Sequence, residues 1–364
     1  MRTETIQVDP ERPDPAAVER AASVIRRGGL VAFPTETVYG LGADATSARA
    51  VAGIFEAKQR PSSDPLIVHL AQAAQLGEVA QAPPPIAMEL AGRFWPGPLT
   101  LVLCRGASIP AVVSAGLDTV AVRVPAHPVA KALLEAARVP IAAPSANLFA
   151  RPSPTTASHV LEDLDGRIDM VLDGGAAPIG VESTVLDLTG PLPLVLRPGG
   201  TPLEALEAVL PQVAFRPKHL PLSGEAAASP GMLLKHYSPK AALWLFRGTG
   251  PETAARMLEA AEGVARARRV GVLAFDEELE SWSRFPVEIY GLGPVDQPEQ
   301  AARRLFAGLR ELDRRGVEII LARGPARQGL GEAVWDRLFR AAEGRLADEQ
   351  EAAAGGPEIP GELE

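Results

Sequence analysis

Lys58 and Arg60 stand one residue apart at the end of a helical pattern, immediately before Pro61. Two such cations cannot share a helix face, yet in a frayed end ahead of a proline both can turn toward one anion, and the pair suits a polyphosphate. Arg123 interrupts the apolar run Val120–Val124. An arginine is seldom buried in a strand without an anionic partner, so a ligand carboxylate or phosphate is expected there. Arg197, in Leu196-Arg197-Pro198-Gly199, ends another strand, and His69 sits inside Leu66–Leu70. A lone histidine in such a run is more often a hydrogen-bonded core residue than a ligand, but alternation sets it opposite Val68 and Leu70, toward a cleft.

Small and hydroxylated residues gather at other strand ends. Pro34–Gly42 brings two threonines, a carboxylate and a phenol onto one turn, and Ala143-Pro144-Ser145-Ala146-Asn147 allows close backbone approach. Arg151–Thr156 opens a helix whose N–H groups suit phosphate, although capping by Ser153 explains that serine equally well. Asp173-Gly174-Gly175 and Gly180–Thr184 complete the set. Four cations (Lys58, Arg60, Arg123, Arg197) and these hydroxyls can bind and orient phosphates far better than they can supply a nucleophile. The familiar glycine-rich mononucleotide and dinucleotide fingerprints are missing. Cys104 is the one cysteine, which excludes an internal disulfide and multi-cysteine metal sites; an inert core thiol is expected.

The elements that must carry these residues form two groups. A chain of 364 residues exceeds the size of one growing core. Helical patterns at 16–27, 47–58, 85–93, 127–138 and 155–164 mix irregularly with strand runs from Leu30–Phe33 to Leu194–Leu196, giving a mixed α/β domain over 1–210. Proline-rich residues 211–239 read as a linker. Strands at Ala241–Phe246, Val270–Phe275 and Val317–Leu321, separated by helices at 251–267 and 297–315, give a smaller Rossmann-like parallel-sheet domain over 240–346. Six of the nine net negative charges fall in 347–364, which reads as an acidic disordered tail and leaves the body nearly balanced. With no long apolar run, and a polar start, a soluble cytoplasmic protein without membrane contact is expected.

Taken in order, Pro34–Leu41, Lys58–Pro61, Pro65–His69, Trp95–Thr100, Pro144–Asn147, Pro152–Thr155, Glu182–Val185 and Leu196–Gly199 resemble the threonylcarbamoyl-AMP synthase family and its YrdC-like catalytic fold. Ser229–Pro239 and the second domain resemble the long, two-domain form, in which the linker closes over the active site. The resemblance implies that L-threonine, bicarbonate or CO2, and ATP with Mg2+ give threonylcarbamoyl-AMP and pyrophosphate. Separate transferase proteins then carry the threonylcarbamoyl group to adenosine in tRNA. By position, Thr37, His69, Arg123, Ala143 and Ser183 would line the threonine site. Arg60, Asp64, Thr119, Ser145, Ser153 and Arg197 would surround ATP, with Lys58 near its phosphates and His236 or Tyr237 reaching in from the linker. Lys58, Arg60 and Arg197 would be catalytic. Two positions depart from the family pattern: Phe149-Ala150 replaces a common Ser-Gly, and Asp64 replaces a common Asn, which suggests a contact with Mg2+ or the adenosine side of ATP. The competing expectations are a non-catalytic binder of double-stranded RNA with the same fold, and a carbamoyltransferase of the hydrogenase-maturation type. The second lacks here its zinc-finger and acylphosphatase-like domains.

Overall fold

Asp14 caps the first helix by accepting from the Ala16 and Ala17 amides, with Pro15 in the opening position. Gly28, at φ +80°, then turns the chain back into a strand. Similar capping and turning recur through this computed structural model, which describes residues 2–215 and 236–347. Two compact units result, Met1–Leu234 and Lys235–Glu364. Their division falls inside the expected linker, most of which lies outside the described residues, as does nearly all of the acidic tail.

The strands of the first unit are β1 Glu4–Gln7, β2 Val31–Phe33, β3 Gly40–Asp44, β4 Ile67–His69, β5 Leu99–Cys104, β6 Thr119–Arg123, β7 Ile141–Ala142, β8 Met170–Asp173, β9 Thr184–Asp187, β10 Leu194–Arg197 and β11 Ala214–Phe215. They form one mixed sheet in the order β1-β8-β2-β3-β7-β4-β6-β5-β9-β10-β11. Its helices are α1 Pro15–Arg26, α2 Ala48–Lys58, α3 Leu76–Val79, α4 Pro85–Phe94, α5 Pro128–Ala137, α6 Ala157–Leu164 and α7 Leu203–Glu207. The chain's first strand pairs in parallel with β8, and Thr3 Oγ1 donates to Ile168 O, so residues more than 160 apart close this edge.

Strand alternation sends side chains to two different environments. Val68, Leu101 and Val122 point into the main core, where Val51, Ile54, Leu90 and Val160 from the helices meet them. On the opposite side, α1 and α5 cover the sheet around Val31, Phe33 and Ile141. Farther along, a small cluster of Ile67, Val102, Ala121, Val185 and Leu196 comes from strands alone, on the side of the sheet to which His69 and Arg123 alternate and which the site residues share. A bulge lies between Val195 and Arg197, with Val195 opposite Leu186 and Arg197 opposite Val185. Leu196 and Arg197 thereby share the cleft side, as bulges permit.

The second unit holds β12 Ala242–Phe246, β13 Val270–Ala274, β14 Glu288–Gly291, β15 Ile319–Arg323 and β16 Leu346–Ala347. All pair in parallel, in the order β14-β13-β15-β12-β16. The connecting helices are α8 Pro251–Val264, α9 Leu279–Trp282, α10 Pro298–Arg314 and α11 Gly331–Ala341. A mixed sheet followed by an all-parallel one is the expected fold class. The expected strand at Val317–Leu321 begins two residues later because Val317 N still donates to Leu312 O, finishing the preceding helix.

Candidate active site

Parallel pairing of β4 with β6 sets His69 beside Arg123 on the cleft face. Arg123 is almost fully buried and donates through Nη1 to Thr37 Oγ1 (2.9 Å) and through Nε to Gly97 O (3.1 Å). Its remaining nitrogen stands 2.7 Å from Glu36 Oε1. The partner expected from a ligand is therefore in part a protein carboxylate. Neither Glu36 oxygen has an aligned hydrogen bond among the described residues, so this buried pair is close but incompletely satisfied. Glu36 was visible in the Thr35-Glu36-Thr37 turn, but its role needed the pairing of segments 87 residues apart.

His69 packs edge-on to Phe33 and is 4% exposed. Burial first, and Arg123 second, push its pKa down to about 3 against the pull of the Ile67 and Ile141 carbonyls. A neutral imidazole beside a guanidinium can accept a proton or hydrogen bond from an amine without adding charge. The linkage sign follows from the depressed value. Below an unfolded pKa near 6.5 the unfolded chain takes up a proton that folded His69 refuses, so stability is complete above that pH and falls toward pH 3. Between pH 7 and pH 5 this amounts to about 2 kcal/mol. In urea melts, His69→Gln should flatten that loss; an equally steep loss in the variant would show that His69 titrates normally.

Around Asp64, cations converge. Lys58 is 1% exposed, and its ammonium donates to Ser145 O (2.6 Å) and Asn147 O (2.5 Å). The chain can curl this way because Gln59 adopts φ +53°, which frees Arg60 from the helix. Arg60 donates to Asp64 O and Pro65 O, with Nη2 2.9 Å from Asp64 Oδ2. Asp64 has no exposed surface; desolvation raises its pKa, opposed by Arg60, Lys58 and Arg197 in that order. One carboxylate thus feels all three cations, leaving an excess of positive charge suited to a polyphosphate. Asp64 faces Arg60, and neither of its oxygens has an aligned hydrogen bond among the described residues.

Ser183 joins the two ends. Its hydroxyl lies 2.8 Å from Thr100 Oγ1, while Arg197 clamps its carbonyl through Nε and Nη2 (3.2 and 2.9 Å). Gly199 makes this approach possible, because a Cβ there would stand 2.3 Å from Glu182 O. Ser153 is fully buried and donates to Glu182 Oε1 at 2.5 Å, so it serves the same loop. Ser145 donates to Asn147 Oδ1 (2.5 Å), which adds Asn147 and Glu182 to the residues whose roles the sequence concealed. Ala143 extends the strand edge by donating to Ile67 O, and half-buried Thr119 lies at the far end of the floor. Tyr39 is structural: its buried hydroxyl donates to Gly175 O, and burial raises its pKa.

One expectation changes on contact with the structure. Cys104 is exposed, not a core thiol: it directly opposes Thr119 at the open end of the cleft face. Mg-ATP should therefore slow its reaction with N-ethylmaleimide in the native protein; an unchanged rate would remove Thr119 from the ATP site. Ala150 adopts the left-handed conformation at φ +65°. Ala150→Gly should raise stability by about 1 kcal/mol in a denaturant melt, and a drop would show that the loop depends on the methyl group. His236 and Tyr237, finally, belong to the second unit, with Tyr237 against Phe306 and beneath the Arg337 guanidinium.

Comparison with known proteins gives the arrangement a context. Residues 23–199 match a family model described as telomere recombination, and residues 201–343 one described as the threonylcarbamoyl-AMP synthase C-terminal domain. A threonylcarbamoyl-AMP synthase from Pyrococcus abyssi is 47% identical, covering 92% of this chain and 97% of the relative. One from Bacillus subtilis is 45% identical over 90% of this chain and 94% of its own length. A crystal structure of the Pyrococcus abyssi protein complexed with L-threonine superposes with a TM-score of 0.87 at 46% identity, covering 94% of this chain and 99% of that one. On this agreement of sequence and structure across both units, the chain belongs to the threonylcarbamoyl-AMP synthase family.

Proposed function

We propose that this protein condenses L-threonine, bicarbonate or CO2, and ATP into threonylcarbamoyl-AMP, releasing pyrophosphate. The observation that carries the reading is the convergence of Lys58, Arg60 and Arg197 on Asp64, in the same sheet whose β4–β6 pairing holds His69 beside Arg123. One end is built for phosphates and the other for an amino acid. Thr37, Arg123, Ser183 and Ala143 bound the amino-acid end, with Arg123 facing the threonine carboxylate and Glu36 balancing its ammonium. Thr119, Ser145 and Ser153 bound the nucleotide end, and His236 or Tyr237 closes over it.

In this reaction the threonine amine attacks CO2 and loses a proton, giving a carbamate. A carbamate oxygen then bonds to the α-phosphorus of ATP as the bond to the pyrophosphate oxygen breaks. No protein nucleophile is required. The protein must hold two anions in line and stabilise the charge that builds on the phosphoryl oxygens, and Lys58, Arg60 and Arg197 are fixed by carbonyls before substrate arrives. Mg2+ would enter on the triphosphate; among the described residues no group of three His, Cys, Asp or Glu is placed to hold a metal ion. The RNA-binding alternative is weakened because Lys58, Arg60, Arg123 and Arg197 are 1–7% exposed and cannot track a duplex backbone.

Among the described residues no helix is long and apolar enough to cross a membrane. We assign the work to the cytoplasm, with tRNA threonylcarbamoyl-transferase proteins consuming the product. The test is pyrophosphate release with Mg-ATP, omitting L-threonine or bicarbonate in turn, with mass spectrometry of the quenched mixture. Release that needs both, with a threonylcarbamoyl-adenylate mass, is expected; release indifferent to threonine would overturn the reading.

A further inference from the structure

The second sheet contains a crevice of its own. Although β12 and β13 are consecutive in the chain, β15 lies between them in the sheet. Val272 and Ala274 of β13 share an apolar cluster with Met257 of α8 and Trp282 of α9. Leu273, on the other side of the same strand, meets Gly308 of α10. The chain therefore leaves β12 and β13 toward one face and leaves β14 toward the opposite one. At such a switch, the carboxyl ends of parallel strands open a crevice where doubly wound sheets bind ligands.

A cavity of about 450 Å3 lies there, within the size range of small-molecule sites. Arg323, the last residue of β15, stands at its floor and pairs with Glu278 at 2.6 Å; both side chains are more than nine-tenths buried. Arg323 Nη1 also donates to Thr249 O (2.8 Å), and its guanidinium lies 4.7 Å above the Phe275 ring. Gly248, at φ +108°, makes the turn that brings the Thr249 carbonyl over it. A guanidinium has five N–H groups, and these contacts use three. Glu278 Oε2 also accepts from Phe275 N, so two Arg323 donors and one Glu278 lone pair remain for a ligand among the described residues. The walls are largely apolar, from Pro251, Leu258, Trp282 and Val295, and the Trp282 indole N–H is buried with no acceptor among the described residues.

This chemistry disfavours a phosphate or carboxylate, because Glu278 neutralises Arg323 and Glu277 adds a negative charge at the rim. It favours a flat, uncharged ring with a donor and an acceptor side by side. Such a ring stacks its faces on the apolar walls and pairs its edge with the Arg323–Glu278 couple, while a ring nitrogen or carbonyl accepts from Trp282. We propose that this cavity binds a nucleobase, separately from the cleft of the first unit. A free nucleoside and a base splayed from an RNA present the same chemistry to it.

Photolabelling of the full-length protein with 8-azidoadenosine, followed by peptide mapping, tests this. Adducts are expected within residues 249–258 or 277–295. Ala255→Trp and Ser281→Trp place an indole in the cavity from exposed wall positions on two different helices, so one remains informative if the other fails to fold. Either should cut that labelling by about tenfold or more. Displacement by excess adenosine alone identifies a free nucleoside, and displacement also by single-stranded oligoadenylate identifies an RNA base. Adducts confined to Met1–Leu234, labelling that survives both substitutions, or labelling that neither competitor displaces would overturn the proposal.

Discussion

Lys58→Met should lower threonine-dependent pyrophosphate release by about a thousandfold, the upper range for losing one preorganised charge from a transition state. Methionine fills much of the lysine's volume, so the α2 end stays packed, but the bonds to Ser145 O and Asn147 O disappear. Each buried carbonyl left unpaired costs about 1–3 kcal/mol, which a thermal melt will register. The two effects separate experimentally. A variant that is destabilised yet keeps kcat within tenfold of the native value would make Lys58 a brace for the 145–147 loop and nothing more. Loss of kcat with ATP affinity largely retained would place its charge on the reacting phosphoryl group.

The second large effect concerns the buried couple at the threonine end. Arg123→Met leaves Glu36 without its cation in a site where both side chains are below 10% exposed. Removing one partner of such a pair costs about 3–5 kcal/mol. Because Arg123 also faces the substrate carboxylate in our reading, the KM for threonine should rise by about a hundredfold or more. Glu36→Gln in the same background removes the stranded charge, so the double variant should recover most of the stability without recovering threonine affinity. Stability and affinity returning together would mean that Arg123 acts only through Glu36. Neither returning would mean that the pair is not coupled in the way its 2.7 Å contact indicates.

Much of the site was legible because its residues sit at strand ends, where Pro and Gly punctuate the sequence. Lys58-Gln59-Arg60-Pro61 and Leu196-Arg197-Pro198-Gly199 announced polar groups leaving apolar runs, and the structure brings both onto one buried carboxylate. What escaped has a physical cause in each case. Gly40 and Gly42 made β3 read as a loop, but a Cβ at Gly42 would stand 2.8 Å from both Phe33 and Ile141, so these glycines let a strand pass close beneath packed side chains. β1 is mostly exposed and polar, as an edge strand should be, and so lacks the apolar alternation that marks its neighbours. α11 hides its character because Asp336, Arg337 and Arg340 are buried as ion pairs, which breaks the apolar period of a helix that is nonetheless internal. Cys104 was misjudged because a run apolar on both faces looks buried along its whole length, whereas its last residue emerges at the cleft mouth.

The pairing of the first strand with β8 bears on how the protein is made. Glu4–Gln7 leave the ribosome well before their partner, Met170–Asp173, which lies more than 160 residues later in the chain. Until then β2, which also pairs with β8, has one ladder side without its native neighbour. Closing a loop of this length carries an entropic cost that grows only slowly with chain length, yet it delays the pairing in time. During synthesis the amino-terminal half therefore carries an open strand edge that the finished molecule conceals. That edge finds its native cover only when the late strand arrives.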